Sequence, residues 1–248
     1  AGHLNGGFPN RSPVFYEVRQ NNGMGLACNG NTVLSTQCAT GEEPMTAVVG
    51  NSYAMTLVEP IARRFSGGVV QMTTDSCPIG ILDGEEVGLS GACGQFYRAV
   101  LQTLATIPSV ETIILSSPFG IELSDSKHVM AFSAFLSQLS DKNVVVVGPT
   151  PTAPQHVGEC YVKSHFVFND QPCDFDLPVA HVEKVRRLEA LLASVSNVRF
   201  VDLTGIICPG GVCSMTSASV PAMYYDYGHL TYRGSEHVVS LLATQMFE

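Results

Sequence analysis

Four valines in a row, Val144 to Val147, close on Gly148 and run into Pro149, Pro151 and Pro154. An unbroken β-branched run fits a strand covered on both faces, because a strand half open to water alternates apolar with polar residues. The prolines forbid a helix directly after it. The same grammar recurs along the chain. Short apolar runs at 46–50, 69–72, 111–115, 143–148 and 198–203 read as strands. Segments 53–65, 93–107, 128–139, 180–194 and 232–247 read as helices, with apolar residues at helical spacing such as Met55, Leu57, Val58, Ile61 and Ala62. This alternation predicts one five-stranded parallel sheet with helices on both faces, a three-layer α/β/α domain. Ligands in such sheets bind beyond the carboxyl ends of the strands.

Composition narrows the class. The chain has 248 residues, enough to bury about 70–75% of the surface its unfolded form exposes, so it needs no staple to make a core. Lys and Arg number 13 against 22 Asp and Glu, a net charge of −9, which argues against a nucleic-acid partner. No apolar run reaches the length of a membrane span. Residues 1–43 are rich in Gly, Asn and Thr and read as an irregular N-terminal arm ahead of a domain at 44–248. The first residues carry neither an initiator Met nor a signal-like apolar stretch, so a processed or excised portion is expected. The sequon Asn10-Arg11-Ser12 is followed by Pro13 and says little.

Eight cysteines are nonetheless present, and they fall into four couples close in sequence. Each couple brackets a loop rich in Gly, Pro, Asn or Thr. The spacing predicts Cys28–Cys38, Cys77–Cys93, Cys160–Cys173 and Cys208–Cys213, with the N-terminal arm pinned by the first. Bridges imply an oxidising compartment, periplasmic, lumenal or extracellular; the other reading is buried free thiols in a cytosolic enzyme. No CxxC or HExxH spacing suggests zinc, no Gly-rich loop cradles a phosphate, and neither metal nor cofactor is expected.

Two places can carry chemistry. The first strand runs straight into Gly50-Asn51-Ser52-Tyr53. A Ser at a strand-to-helix turn offers a hydroxyl that can attack and a helix-terminal N–H that can stabilise an oxyanion, unless it is merely a helix cap. Near the other end, Tyr224-Tyr225-Asp226-Tyr227-Gly228-His229-Leu230-Thr231 precedes the last helix. Asp and His three apart on one loop can sit side by side, the Asp holding the tautomer that leaves Nε2 free as a base. The bland alternative is a capping Asp226 or Thr231 with His229 on the surface. Tyr224, Tyr225 and Tyr227 can wall a sugar ring or simply pack the loop. His128, His156, His165, His181 and His237 have no partner at a telling spacing, and Asp83-Gly84-Glu85-Glu86 reads as a solvated turn.

The conjunction of a nucleophile turn after the first strand and an Asp-x-x-His loop before the last helix resembles the SGNH, or GDSL-like, hydrolase superfamily, whose sheet is flavodoxin-like. It differs from the G-x-S-x-G elbow, where acid and His lie far apart in sequence. Cys77-Pro78, the Val144–Pro151 stretch, Ile207-Cys208-Pro209 and Asp226-x-x-His229-Leu-Thr narrow the likeness. Over about 44–248 the chain resembles the SGNH domain fused behind membrane-embedded acyltransferase family 3 proteins, which move acyl groups onto carbohydrates. The resemblance implies Ser52 as nucleophile, His229 as general base and acid, and Asp226 as its orienting carboxylate. It implies O-acetyl transfer or ester hydrolysis, an acyl donor and a carbohydrate acceptor as partners, and an upstream membrane domain. Ser52 N–H would supply one oxyanion donor, Ser116 or Ser117 another, and the Ser76–Gly80 segment, with Gly80 foremost, a third. Asn51, Tyr53, Tyr225 and Tyr227 would face substrate. The usual G-D-S-H reads G-N-S-Y here, and no G-x-N-D follows the third strand. Those departures keep open a non-catalytic carbohydrate-binding domain on the same fold; a flavodoxin-like FMN domain ranks below both.

Overall fold

A computed structural model describes residues 13–80, 90–166, 173–217, 220 and 222–247; the sequon at Asn10 and the acidic turn at 83–86 lie outside them. The elements in chain order are α1 (Pro13–Glu17), β1 (Thr46–Gly50), α2 (Ser52–Arg64), β2 (Val69–Thr73), α3 (Ser90–Leu104), β3 (Thr112–Ser116), α4 (Ser126–Ser137) and β4 (Asn143–Val147). They continue with α5 (Val157–Phe166), β5 (Phe175–Asp176), α6 (Val179–Leu192), β6 (Val198–Val201), α7 (Thr204–Ile207), β7 (Val212–Cys213) and α8 (Tyr232–Phe247).

Five strands form one sheet in the order β2-β1-β3-β4-β6, every neighbouring pair parallel. The valine run divides as its period of two requires. Val145 and Val147 join the core built with α2 and α8, while Val144 and Val146 join the core built with α3 and α4. Both faces are therefore covered, and low charge follows from a sheet with no wet side. The order turns back on itself at β1, whose neighbours β2 and β3 connect in opposite directions. The crevice at the carboxyl ends of β1 and β3 is thus the place for a ligand.

Some elements were not foreseen. Helix α5 follows the prolines: their veto ends at Pro154, and His156 Nδ1 accepts from Glu159 N at 3.1 Å to start the first turn. Helices α1 and α7 and the antiparallel pair β5–β7 are too short to carry a periodic signal. Helix α3 begins at Ser90, three residues before the expected Cys93.

The described part of the N-terminal arm, residues 13–43, is irregular apart from helical turns such as α1, and from Asn21 onward it is built into the domain. Pro60 inside α2 has no N–H, so the Thr56 carbonyl loses its helical partner. Asn21 Nδ2 donates to that carbonyl at 3.0 Å and to Ser235 Oγ of α8 at 3.1 Å. Residues 38–40 run along the outer edge of β2, with Gln71 N donating to Cys38 O and Thr40 N to Val69 O, both at 2.8 Å. An exposed parallel edge is thereby covered.

All four expected disulfides are formed. In a chain-entropy account the stabilisation grows with the loop closed. Cys77–Cys93 spans 16 residues and Cys208–Cys213 spans 5. Replacing the first pair by Ser is expected to cost about 3 kcal/mol and the second about 2 kcal/mol. Urea unfolding measures both, and a larger loss for Cys208/Cys213 would overturn the entropic ordering.

Candidate active site

Strand β1 ends on Gly50 at φ +146°, a backbone that L side chains rarely adopt. A Cβ there would lie 2.3 Å from the Ser116 carbonyl oxygen and 2.8 Å from Ala54 Cβ. The missing side chain lets the end of β1 press against β3 and turn at once into α2. Asn51 caps α2: its Oδ1 accepts from Tyr53 N at 3.1 Å, and its Nδ2 donates to Ser117 Oγ at 3.1 Å. Capping therefore falls to Asn51, and the Ser52 hydroxyl is left for other work. It lies 2.8 Å from His229 Nε2. Ser52 N–H sits in the first helical turn, where backbone donors have no helical acceptor.

The Asp-x-x-His loop arranges itself locally. Asp226 Oδ1 accepts from Gly228 N and His229 N, each at 2.9 Å, while Oδ2 takes His229 Nδ1 at 2.7 Å. With the Nδ1 proton on the carboxylate side, Nε2 is the acceptor for the Ser52 hydroxyl. Thr231 Oγ1 donates to Ala222 O and accepts from Gly234 N, fixing the start of α8. The segment after β4 grips the same loop. Ala153 N donates to Tyr227 O at 2.7 Å, Val157 N to Asp226 O at 3.0 Å, and Thr150 Oγ1 to Gly228 O at 2.6 Å. Gly158 packs so closely that a Cβ would stand 2.4 Å from Tyr225 O.

The imidazole of His229 lies between two tyrosines, Tyr53 at 4.2 Å and Tyr225 at 5.3 Å between ring centroids, the latter nearly parallel. Burial, and then Asp226, push the Tyr53 phenol up to about 12. Tyr225 is raised well above its ordinary value by burial and by the charges of Asp226 and Asp75. Both phenols are neutral near pH 7. Burial works against the Asp226 charge, but the hydrogen bonds from His229 and Gly228 outweigh it and hold the carboxyl below its ordinary range. Tyr227, 51% exposed, stands edge-on to His156. Beside it opens a cleft of about 440 Å³ lined by Gln155, His156, Glu159, Lys163 and Ser164. Tyr224 is fully buried and belongs to the core rather than to an aromatic wall.

Other expected site residues turn inward. Asn51 is 5% exposed, and both its polar groups are engaged within the protein, so it braces the turn and does not present itself to substrate. Ser117 is fully buried and donates its hydroxyl to Glu122, which leaves no proton for an oxyanion. Gly80, at φ +94°, is packed on α4, where a Cβ would meet Phe132 Cα at 2.6 Å. Ser116 is buried at the end of β3. Glu122 gave no sequence signal, being a single acidic residue in an irregular stretch. Three of the histidines for which the spacing showed no partner have one in the structure. His128 Nδ1 lies 2.9 Å from Asp125 Oδ2, His165 Nδ1 lies 2.9 Å from Tyr161 O, and His181 Nε2 lies 3.0 Å from Thr204 Oγ1. Burial, then Lys184, lower His181 to about 4, so it is a neutral core residue.

The family model "SGNH domain (fused to AT3 domains)" matches residues 25–244. Among solved structures, the periplasmic domain of a lipopolysaccharide acetyltransferase from Salmonella ser. Paratyphi A superposes with a TM-score of 0.71 at 17% identity, covering 97% of each chain. A putative platelet activating factor from Streptococcus pneumonia superposes with a TM-score of 0.53 at 12% identity, over 94% of this chain and 95% of that one. At these identities the likeness is one of fold. No curated protein sequence matches.

The depressed Asp226 pKa has a pH signature. A carboxyl held below its unfolded value of 3.8 adds stability above that pH and loses it as pH falls through the folded value. The unfolding free energy of the protein minus that of Asp226→Asn is therefore expected to be positive near neutrality and to shrink below about pH 4. Urea titrations across that range measure it; a difference independent of pH would show that the carboxylate is not selectively stabilised.

Proposed function

Since the chain belongs to the family of SGNH domains fused to AT3 domains, we propose that it is a serine acyl-transfer enzyme acting on O-acyl groups of carbohydrates, O-acetyl above all. The observation that carries this reading is the continuous chain Ser52 Oγ, His229 Nε2, His229 Nδ1, Asp226 Oδ2, with links of 2.8 and 2.7 Å. Ser52 Oγ attacks the ester carbonyl as its proton passes to Nε2. Asp226 stabilises the imidazolium so formed. The negative oxygen of the tetrahedral intermediate is met by Ser52 N–H at the head of α2, where the helix dipole adds its positive end. His229 then returns the proton to the departing oxygen, and an acyl-Ser52 remains. Water completes hydrolysis; a sugar hydroxyl, deprotonated by His229, completes transfer.

Transfer is the reading that fits the family's fused AT3 domains, which would deliver the acyl group from the membrane. The four disulfides favour a site outside the cytoplasm. The cleft beside Tyr227 suits a carbohydrate: an exposed ring for the apolar face of a sugar, with Gln155, Glu159 and Lys163 for its hydroxyls.

Two variants test this. Ser52→Ala is expected to lower acetyl-ester hydrolysis by about 10³-fold or more and to abolish labelling by a fluorophosphonate probe. Full activity in that variant would falsify the nucleophile assignment, and a folded wild-type protein that takes no label would favour a carbohydrate-binding domain. Tyr227→Ala is expected to raise KM for an acetylated glycan by about tenfold while kcat stays within about twofold, the mark of lost uniform binding. An unchanged KM would remove the sugar from that cleft.

A further inference from the structure

A carboxyl that the proposed chemistry never touches stands behind the nucleophile turn. Glu122, 1% exposed, lies between β3 and α4. Its Oε1 accepts from Ile79 N at 2.9 Å and from the Ser117 hydroxyl. Its Oε2 is buried with no hydrogen-bond partner among the described residues. A buried carboxyl satisfied on one side only is a poor packing group.

Its hydrogen bonds have a direction. A carboxylate accepts, so Ser117 must donate to it, and the Ser117 lone pairs then face Asn51. That side of Asn51 must be the amide NH₂, as observed at 3.1 Å. The Asn51 carbonyl is left for Tyr53 N–H in the first turn of α2. If Ser117 lost its acceptor, its hydroxyl could turn to donate to Asn51. The side-chain amide could then flip, presenting NH₂ to the Tyr53 N–H and undoing the cap. The same Oε1 holds Ile79, next to Gly80 in the β2–α3 loop. Burial outweighs the pull of Ser117, the backbone donors and Lys184 and leaves the Glu122 pKa above its ordinary value.

We propose that Glu122 is a positioning residue for Ser52, acting through Ser117 and Asn51 to fix the orientation of the Asn51 cap and hence of the turn that presents the hydroxyl to His229. Its catalytic consequence rests on Ser52 being the nucleophile; its structural consequence does not.

The test compares Glu122→Leu, which removes the acceptor, Ser117→Ala, which cuts the relay, and Glu122→Gln, which keeps an acceptor oxygen. Two quantities are read in the full chain: the rate of fluorophosphonate labelling of Ser52, and amide hydrogen exchange at Tyr53 relative to α8. Glu122→Leu and Ser117→Ala are expected to slow labelling and to speed Tyr53 exchange, each by about tenfold, the scale of a lost helix cap. Glu122→Gln is expected to stay within about threefold of wild type on both. The proposal is overturned if Glu122→Leu and Ser117→Ala, folded by circular dichroism, label and exchange as wild type does. It is equally overturned if Glu122→Gln is as damaged as Glu122→Leu, since packing or charge would then be the cause. Should Glu122→Leu not fold, Ser117→Ala decides. A wild type that takes no label refutes the serine-enzyme reading, and Tyr53 exchange still settles the role of Glu122.

Discussion

The absent side chain at Gly50 is the constraint from which the rest follows. A Cβ there would stand 2.3 Å from a β3 carbonyl, well inside any tolerable contact. Because it is missing, β1 and β3 stay in register to their last pair, Gly50 and Ser116, and α2 starts without an intervening loop. Ser52 is thereby delivered to the crevice at the topological switch point on a rigid element, and not on a flexible connection. Its backbone donor points out of the first helical turn for the same reason.

His229 arrives from the opposite end of the chain, so its placement beside Ser52 needs separate means. Asp226 and His229 pair within their own loop, which fixes the tautomer but not the position. Position comes from the segment after β4, which meets that loop through three hydrogen bonds and the close approach of Gly158. The prolines that looked like mere helix breakers stiffen this segment. The tyrosines on either side of the imidazole remove its freedom to tilt. Rigid backbone on one side and packed rings on the other bring two residues 177 apart in sequence to 2.8 Å.

Local patterns were legible in the sequence, and contacts across the fold were not. The valine run announced a doubly covered strand, and the spacing of the cysteines announced their pairs. The Asp-x-x-His spacing was legible too, but it is less specific than it looks. Asp125 and His128 adopt the same local geometry, Oδ1 taking the His N–H and Oδ2 the ring Nδ1. What separates the two pairs is Ser52 opposite Nε2 of His229, a relation that no spacing encodes. Asn21 illustrates the same limit: its reason for being buried is the carbonyl freed by Pro60, 39 positions away in sequence. Ser117 and Glu122 likewise acquire meaning only when β3 is laid against the turn that carries Ser52.

That juxtaposition also accounts for the departure from G-D-S. An Asp at position 51 could accept from Tyr53 N–H as Asn51 does, but it has no NH₂ to give Ser117. Ser117 has one proton, and Glu122 already takes it. Asp at 51 would leave two buried carboxylates facing one hydroxyl, an arrangement in which like charges cannot both persist and one must bind a proton. Asn51 relieves the conflict by supplying a donor at that point and an acceptor at the other. The unusual residue in the nucleophile motif and the acidic residue after the third strand are therefore one matched set. Read singly, Asn51 looks like decay of a motif and Glu122 carries no signal; read together, they are a consistent way of holding the same turn.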